Sequence, residues 1–247
     1  MQKTVRGLQS IGVLLLGLLG CGTSKEWILA EGQHTQGFEK RVTREYAGRF
    51  LLYLPRGFEQ EKKKWPLLMF LHGSGERGDD LEKVKVHGPP KLIAQGKEFP
   101  FIVVSPQCPD NARWSTEMLN ALLDEVIAKL PVDEDRVYLT GLSMGGQGTW
   151  NLAMASPERF AAIAPVCGWG SRDVMCVLKN TPVWMFHGAK DDVVPLAESE
   201  RMYGGLKKCG NEAKFTVYSH ANHDSWSETY ANPELYEWFL LQQRQSH

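Results

Sequence analysis

The stretch Val137-Tyr138-Leu139-Thr140-Gly141-Leu142-Ser143-Met144-Gly145-Gly146-Gln147-Gly148 decides how this chain is to be read. An apolar run leads into Gly141-Leu142-Ser143-Met144-Gly145, a G-x-S-x-G pentapeptide, and the residues from Gly145 to Ala155 suit a helix. Strand, sharp turn and helix is the context in which that pattern lifts a serine hydroxyl clear of the backbone as a nucleophile. The neighbours have to be small, because the turn is strained and the helix packs tightly on the strand before it. Gly141, Gly145 and Gly146 meet that demand. A serine hydroxyl is a poor nucleophile at neutral pH and needs a base to take its proton. The base in turn needs a carboxylate to hold its tautomer and stabilise the imidazolium. An acid and a histidine at other strand ends are therefore expected.

Outward from this turn, strand-like runs alternate with helix-like ones. Arg49 to Leu54, Pro66 to Leu71 and Phe101 to Val104 precede it, the last stopped by Ser105-Pro106. Short continuous apolar runs of this kind are expected of strands buried on both faces. Thr116 to Leu130 carries Leu119, Leu122, Leu123, Val126, Ile127 and Leu130 on one helical stripe, with Pro131 just past its end. Beyond the turn, Phe160 to Val166, Pro182 to Phe186 and Phe215 to Tyr218 read as strands. Leu196 to Lys208, closed by Gly210, and Pro233 to Gln243 read as helices. The alternation predicts a mostly parallel sheet with helices on both faces. Too few residues separate the Phe160 and Pro182 strands to build a large cap domain, so an open site is expected.

The acid and the base come later in the chain, in that order. After the Pro182 strand stands His187-Gly188-Ala189-Lys190-Asp191-Asp192, where two adjacent aspartates compete for the role of acid. After the strand ending at Tyr218 stands Ser219-His220-Ala221-Asn222-His223-Asp224. His223, further into the loop, is the expected base, and His220 a hydrogen-bonded structural residue. His72 and His187 head His-Gly pairs at strand ends and read as loop-shaping residues. A tetrahedral intermediate needs two preorganised N–H donors. Met144, just after the nucleophile, should give one. The loop His72-Gly73-Ser74-Gly75, similar to the His-Gly-x-Gly loop of esterases, should give the other through Ser74.

Four ordered motifs carry a family resemblance: Leu71-His72-Gly73-Ser74-Gly75-Glu76-Arg77-Gly78, Gly141 to Gly146, His187-Gly188-x-x-Asp191-x-x-Val194-Pro195, and His223-Asp224-Ser225-Trp226. The set resembles the α/β-hydrolase serine esterases of the phospholipase/carboxylesterase and dienelactone-hydrolase-like branch, proteins often catalogued as predicted peptidases or polysaccharide acyl esterases. The resemblance implies an α/β-hydrolase fold without a large cap, and it favours Asp191 over Asp192 as the acid. The cysteine nucleophile of dienelactone hydrolases themselves is absent. The implied activity is that of a serine carboxylesterase acting through Ser143, His223 and Asp191, with no metal and no organic cofactor. A serine peptidase or acyltransferase would use the same triad. A non-catalytic binding lipoprotein on the same scaffold is the reading from another class.

Composition fits one such domain. The chain has 247 residues, 43% hydrophobic and 23% charged, with a net charge of −1, which argues against nucleic acid as a partner. Residues 1–20 read as a signal segment: Lys3 and Arg6, then an apolar core from Ile11 to Leu19 too short to span a bilayer. It ends in Leu18-Leu19-Gly20-Cys21, which resembles a bacterial lipobox, with Cys21 carrying the lipid; an ordinary signal peptide or an uncleaved anchor are the alternatives. The expectation is a membrane-anchored envelope lipoprotein, with 21–43 as a polar tether, 44–247 as the catalytic domain and the lipid as its sole membrane contact. Cys108, Cys167, Cys176 and Cys209 show no zinc spacing and are expected to be buried free thiols, although export permits disulfides. Trp114, Trp169 and Trp226 fall in rim loops, where an indole stacks on a sugar or aromatic acyl group or else walls the pocket. Glu76 and Arg77 either contact substrate or pair with each other. The expected substrate is a short-chain or aromatic acyl ester, including decorations on a polysaccharide.

Overall fold

A computed structural model describes residues 45–244. The signal segment 1–20, the tether 21–43 and Cys21 lie outside the described residues.

Among the described residues, seven strands form one sheet: β1 (Phe50–Tyr53), β2 (Trp65–Leu71), β3 (Ile102–Pro106), β4 (Val132–Leu142), β5 (Ala162–Val166), β6 (Trp184–Gly188) and β7 (Lys214–Tyr218), in the order β1-β3-β2-β4-β5-β6-β7. Edge strand β1 runs antiparallel to β3, and every other pairing is parallel. The chain steps from β2 outward to β3, then returns across β2 to β4. Crevices that receive ligands form where the order reverses in this way, beyond the carboxyl ends of the strands. Here those ends are Leu71 and Leu142.

Period-two alternation on β2 shows why the sheet is covered twice. Leu67, Met69 and Leu71 join one apolar cluster, with Leu119 and Leu123 of α2 (Thr116–Lys129), Trp150 of α3 (Met144–Ala155) and Met202 of α4 (Leu196–Lys208). Leu68 and Phe70 join the other, with Tyr230 of α5 (Trp226–Ala231) and Phe239 of α6 (Pro233–Leu240). Leu92 and Ile93 of α1 (Gly88–Ala94) pack against that second cluster. Every residue of β2 is buried, as its unbroken apolar run requires. Each such side chain contributes about 1.5–3 kcal/mol of transfer free energy.

The α/β-hydrolase architecture expected from the sequence is the one observed, with only a short 3-10 turn (Met175–Leu178) between β5 and β6 and no large cap among the described residues. Two helices escaped the sequence reading. α1 opens with Gly88-Pro89-Pro90, residues that look like a turn but are tolerated in a first helical turn, where the missing N–H has no partner to lose. α5 has six residues, too few for an amphipathic stripe, and Pro233 separates it from α6.

The expectation of four free thiols is corrected. Cys176 and Cys209 form a disulfide, with their Cα atoms 5.2 Å apart, tying the turn after β5 to the C-terminal end of α4. Cys108 and Cys167 are buried free thiols. The pairing depends on where α4 ends relative to the Met175–Leu178 turn, which cysteine spacing does not report. No described helix is long and apolar enough to cross a membrane.

Candidate active site

Ser143 sits between β4 and α3 with φ 52° and ψ −115°, in the left-handed region that a non-glycine residue enters only under constraint. The constraint is visible. Its N–H donates to Val166 O of β5 at 2.9 Å, and its carbonyl accepts from Gln147 N at 2.9 Å to start α3. The turn closes because Gly145 has no side chain: a Cβ there would stand 1.9 Å from Leu71 O and 2.6 Å from His72 O. The N-terminus of α3 is thereby pressed onto the end of β2. Met144 begins α3, so its N–H belongs to the first turn, whose amides have no partner within the helix.

Ser143 Oγ lies 3.0 Å from His223 Nε2, and His223 Nδ1 lies 2.8 Å from Asp191 Oδ2. The Asp191 carboxylate has no solvent exposure, and donors meet both of its oxygens. Val193 and Val194 N–H groups donate to Oδ1, each at 2.9 Å. Oδ2 receives the His223 Nδ1 proton and faces His187 Nε2 at 3.1 Å. His187 is also buried; its Nε2–H donates to Val194 O at 2.8 Å, leaving Nδ1 to accept from Ser199 Oγ at 2.7 Å. His187 thus shapes the loop through Val194 O, with its ring beside the Asp191 carboxylate.

The Asp191 and His223 loops are held together by backbone. Ala189 N–H donates to Tyr218 O and Lys190 N–H to Ala221 O, both at 2.9 Å. Gly188 permits this approach, since a Cβ there would meet Asn222 O at 2.1 Å. Asp192 is exposed. His220 lies on the surface, its Nε2 3.0 Å from Glu228 Oε2.

The loop after β2 is fixed on several sides. Buried His72 accepts the Cys108 N–H on Nε2 at 3.0 Å and donates from Nδ1 to Gly73 O at 2.6 Å. Burial pulls its pKa down to about 4, so it remains the neutral tautomer that this pair of bonds requires. Ser74 follows in a 3-10 turn (Ser74–Glu76). The Arg77 guanidinium binds Ser74 O at 2.9 Å and Ala112 O at 3.3 Å, pinning the loop to the segment after β3.

Of the rim tryptophans, Trp114 is buried, with its Nε1–H donating to His72 O at 3.1 Å, so it braces this loop from beneath. Trp169 is half-buried. Trp226 is half-buried beside His223, with ring centroids 5.2 Å apart. Glu76 is buried and faces His72 and His87.

Cys167, Asp191 and His223 place one potential metal ligand atom each within 4.8 Å of one another. Asp191 and His223 already share a hydrogen bond, and burial raises the Cys167 thiol pKa to about 12. A group so reluctant to become a thiolate is a poor ligand. The arrangement suits proton transfer between serine and imidazole.

Sheet order and elbow together define an α/β-hydrolase. The chain belongs to the phospholipase/carboxylesterase family, whose model matches residues 99–232. It is similar to the bifunctional acetylxylan esterase/xylanase XynS20E of Neocallimastix patriciarum, at 26% identity over 70% of this chain and 26% of that protein. It is also similar to "Probable feruloyl esterase C" of Aspergillus terreus, at 28% identity over 66% of this chain and 60% of that one. The chain therefore spans less than two thirds of the length of either curated relative. Among solved structures, a thermostable esterase superposes with a TM-score of 0.68 at 32% identity, covering 79% of this chain and 59% of the other.

Proposed function

We propose that the chain is a serine carboxylesterase that cleaves short-chain or aromatic acyl esters, including acyl groups carried on polysaccharides. The observation that carries this reading is the unbroken line from Ser143 Oγ through both nitrogens of His223 to the buried Asp191 carboxylate. In the proposed cycle His223 Nε2 takes the Ser143 proton as Oγ attacks the ester carbonyl. The N–H groups of Ser74 and Met144 receive the oxyanion, and the imidazolium, stabilised by Asp191, returns the proton to the leaving alcohol. Water then attacks the acyl-enzyme by the same route, releasing the acid and restoring Ser143.

Three observations support the substrate class. The connection between β5 and β6 is too short for a sizeable lid, so the site stays open to polymer-borne esters. Two similar proteins carry acetylxylan esterase and feruloyl esterase in their names. The Cys176–Cys209 bridge suits an oxidising compartment, in keeping with an exported, lipid-anchored enzyme that meets polymers outside the cell. The anchor itself rests on Cys21 and the apolar segment before it.

The deciding experiment compares kcat/KM on acetylated xylan, feruloyl esters, long-chain acyl esters and a peptide amide, with Ser143→Ala as the control. Acetyl or feruloyl esters should be preferred, and fluorophosphonate should label Ser143. A preference for long chains would overturn the substrate class, and a faster amide would make the protein a peptidase. Turnover surviving in Ser143→Ala would remove the nucleophile assignment.

A further inference from the structure

His223 stands in a loop, where an imidazole ring has rotamer freedom unless something walls it in. The wall is Trp226, whose ring meets that of His223 at 90° with centroids 5.2 Å apart. Trp226 is itself held: its Nε1–H donates to His87 Nδ1 at 3.2 Å, and the two rings lie 5.2 Å apart. An indole nitrogen is a donor only, so His87 Nδ1 must be bare, and the neutral ring carries its proton on Nε2. That nitrogen faces Glu76, with Oε1 at 3.7 Å.

Glu76 is 8% exposed, and its Oε2 has no hydrogen-bond partner. A carboxylate kept from water is costly unless its charge meets a donor. Its two near neighbours are histidines. His72 Nδ1, at 3.9 Å, spends its proton on Gly73 O, which leaves His87 as the ring whose proton Glu76 can orient. His87 immediately precedes α1 and Trp226 begins α5, two helices that pack together, so both rings ride on fixed elements.

We propose that Glu76, His87 and Trp226 form a positioning line for the catalytic base. The Glu76 charge, 3.7 Å from His87 Nε2, favours the tautomer that leaves Nδ1 bare for the indole, His87 anchors the indole, and the indole holds the His223 ring where Nε2 meets Ser143. The inference rests on the proposed role of His223. It gives Glu76 and Trp226 work other than substrate contact, and it brings in His87, which sequence spacing does not connect to the site.

The test is a double-mutant cycle on purified full-length protein, with kcat expressed per fluorophosphonate-titrated site. His87→Leu and Trp226→Phe should each lower kcat roughly tenfold or more while KM stays within about twofold, since misplacing a base costs rate rather than binding. The double variant should be no worse than the more severe single one, because both break the same line. His87→Asn, whose amide oxygen replaces Nδ1 as acceptor, should return most of the lost turnover. Trp226→Phe keeps an aromatic ring in place and carries the test if His87→Leu does not fold. Additive losses, or a raised KM with unchanged kcat, would overturn the line. An inert His223→Ala beside an unaffected His87→Leu would overturn the line alone, whereas an active His223→Ala would overturn the base assignment beneath it.

Discussion

Asp191→Asn is the substitution whose outcome is tied most directly to the hydrogen bonds of the site. The native carboxylate offers one oxygen to two backbone amides, those of Val193 and Val194, and the other to His223 Nδ1, with His187 Nε2 nearby. Asparagine has one acceptor oxygen and one NH2. The backbone amides cannot turn away, so the oxygen should remain with them and the NH2 should face the imidazoles. His187 keeps Val194 O for its Nε2–H and is little changed. His223 has no such alternative. Its proton should move to Nε2, pointing a hydrogen at Ser143 in place of the lone pair that takes the serine proton in the proposed cycle. Loss of the correct tautomer and of imidazolium stabilisation together should lower kcat by about 10⁴, or about 5 kcal/mol, the scale of the serine-protease precedent. Stability should fall by about 1–3 kcal/mol from the imperfectly paired buried amide. Exposed Asp192→Asn should change kcat by less than about twofold. Steady-state rates on p-nitrophenyl acetate and urea denaturation measure both effects. If Asp191→Asn kept turnover within tenfold of the native protein, or if Asp192→Asn were the worse variant, the argument would be refuted.

The remaining predictions concern the scaffold. Because the pKa of His72 falls from 6.5 to about 4 on folding, its contribution is fully present above pH 6.5 and shrinks as pH drops towards 4. The unfolded chain binds the proton first, at a cost of up to about 3 kcal/mol of stability. An NMR titration should find the His72 ring neutral down to about pH 4, and titration near 6.5 would contradict its buried role. Gly145→Ala should destabilise by about 3 kcal/mol or more and abolish activity, because its Cβ would collide with backbone at the end of β2; a folded, active variant in urea and rate measurements would refute this. Cys176→Ser should cost about 3–4 kcal/mol for a bridge with a sequence separation of 33, read as a lower thermal midpoint. Turnover at 25 °C should be little affected, because α4, about 20 Å long, separates Cys209 from the acid loop; a large loss of activity would contradict that separation.

Much of the molecule was legible in the chain because its signals are local. Apolar period, the small residues flanking Ser143, and Pro or Gly at element ends need only neighbouring residues to act. They gave the seven described strands and the helices α2, α3, α4 and α6, with ends differing by a few residues: β4 begins at Val132 rather than Val137, and β3 continues through Ser105 and Pro106. The G-x-S-x-G turn, the two His-Gly loops and the C-terminal histidine pointed to the residues that the fold brings together. Short α1 and α5 were not legible, since six or seven residues carry too little pattern to outweigh Gly-Pro-Pro in one case and Ser-Trp-Ser in the other.

Tertiary structure decided the rest, for a common reason: each remaining feature joins segments far apart in the chain. Which cysteines pair depends on where α4 ends relative to the turn after β5. Whether a rim tryptophan faces solvent or braces a loop depends on what lies beneath it, and Trp114 finds His72 O. The His187 ring beside Asp191, and the route from Glu76 through His87 and Trp226 to His223, exist only once loops from several strand ends converge. Sequence determined which groups are available for proton transfer. The fold determined which of them touch, because hydrogen bonds and ring contacts act over a few ångströms and are blind to separation along the chain.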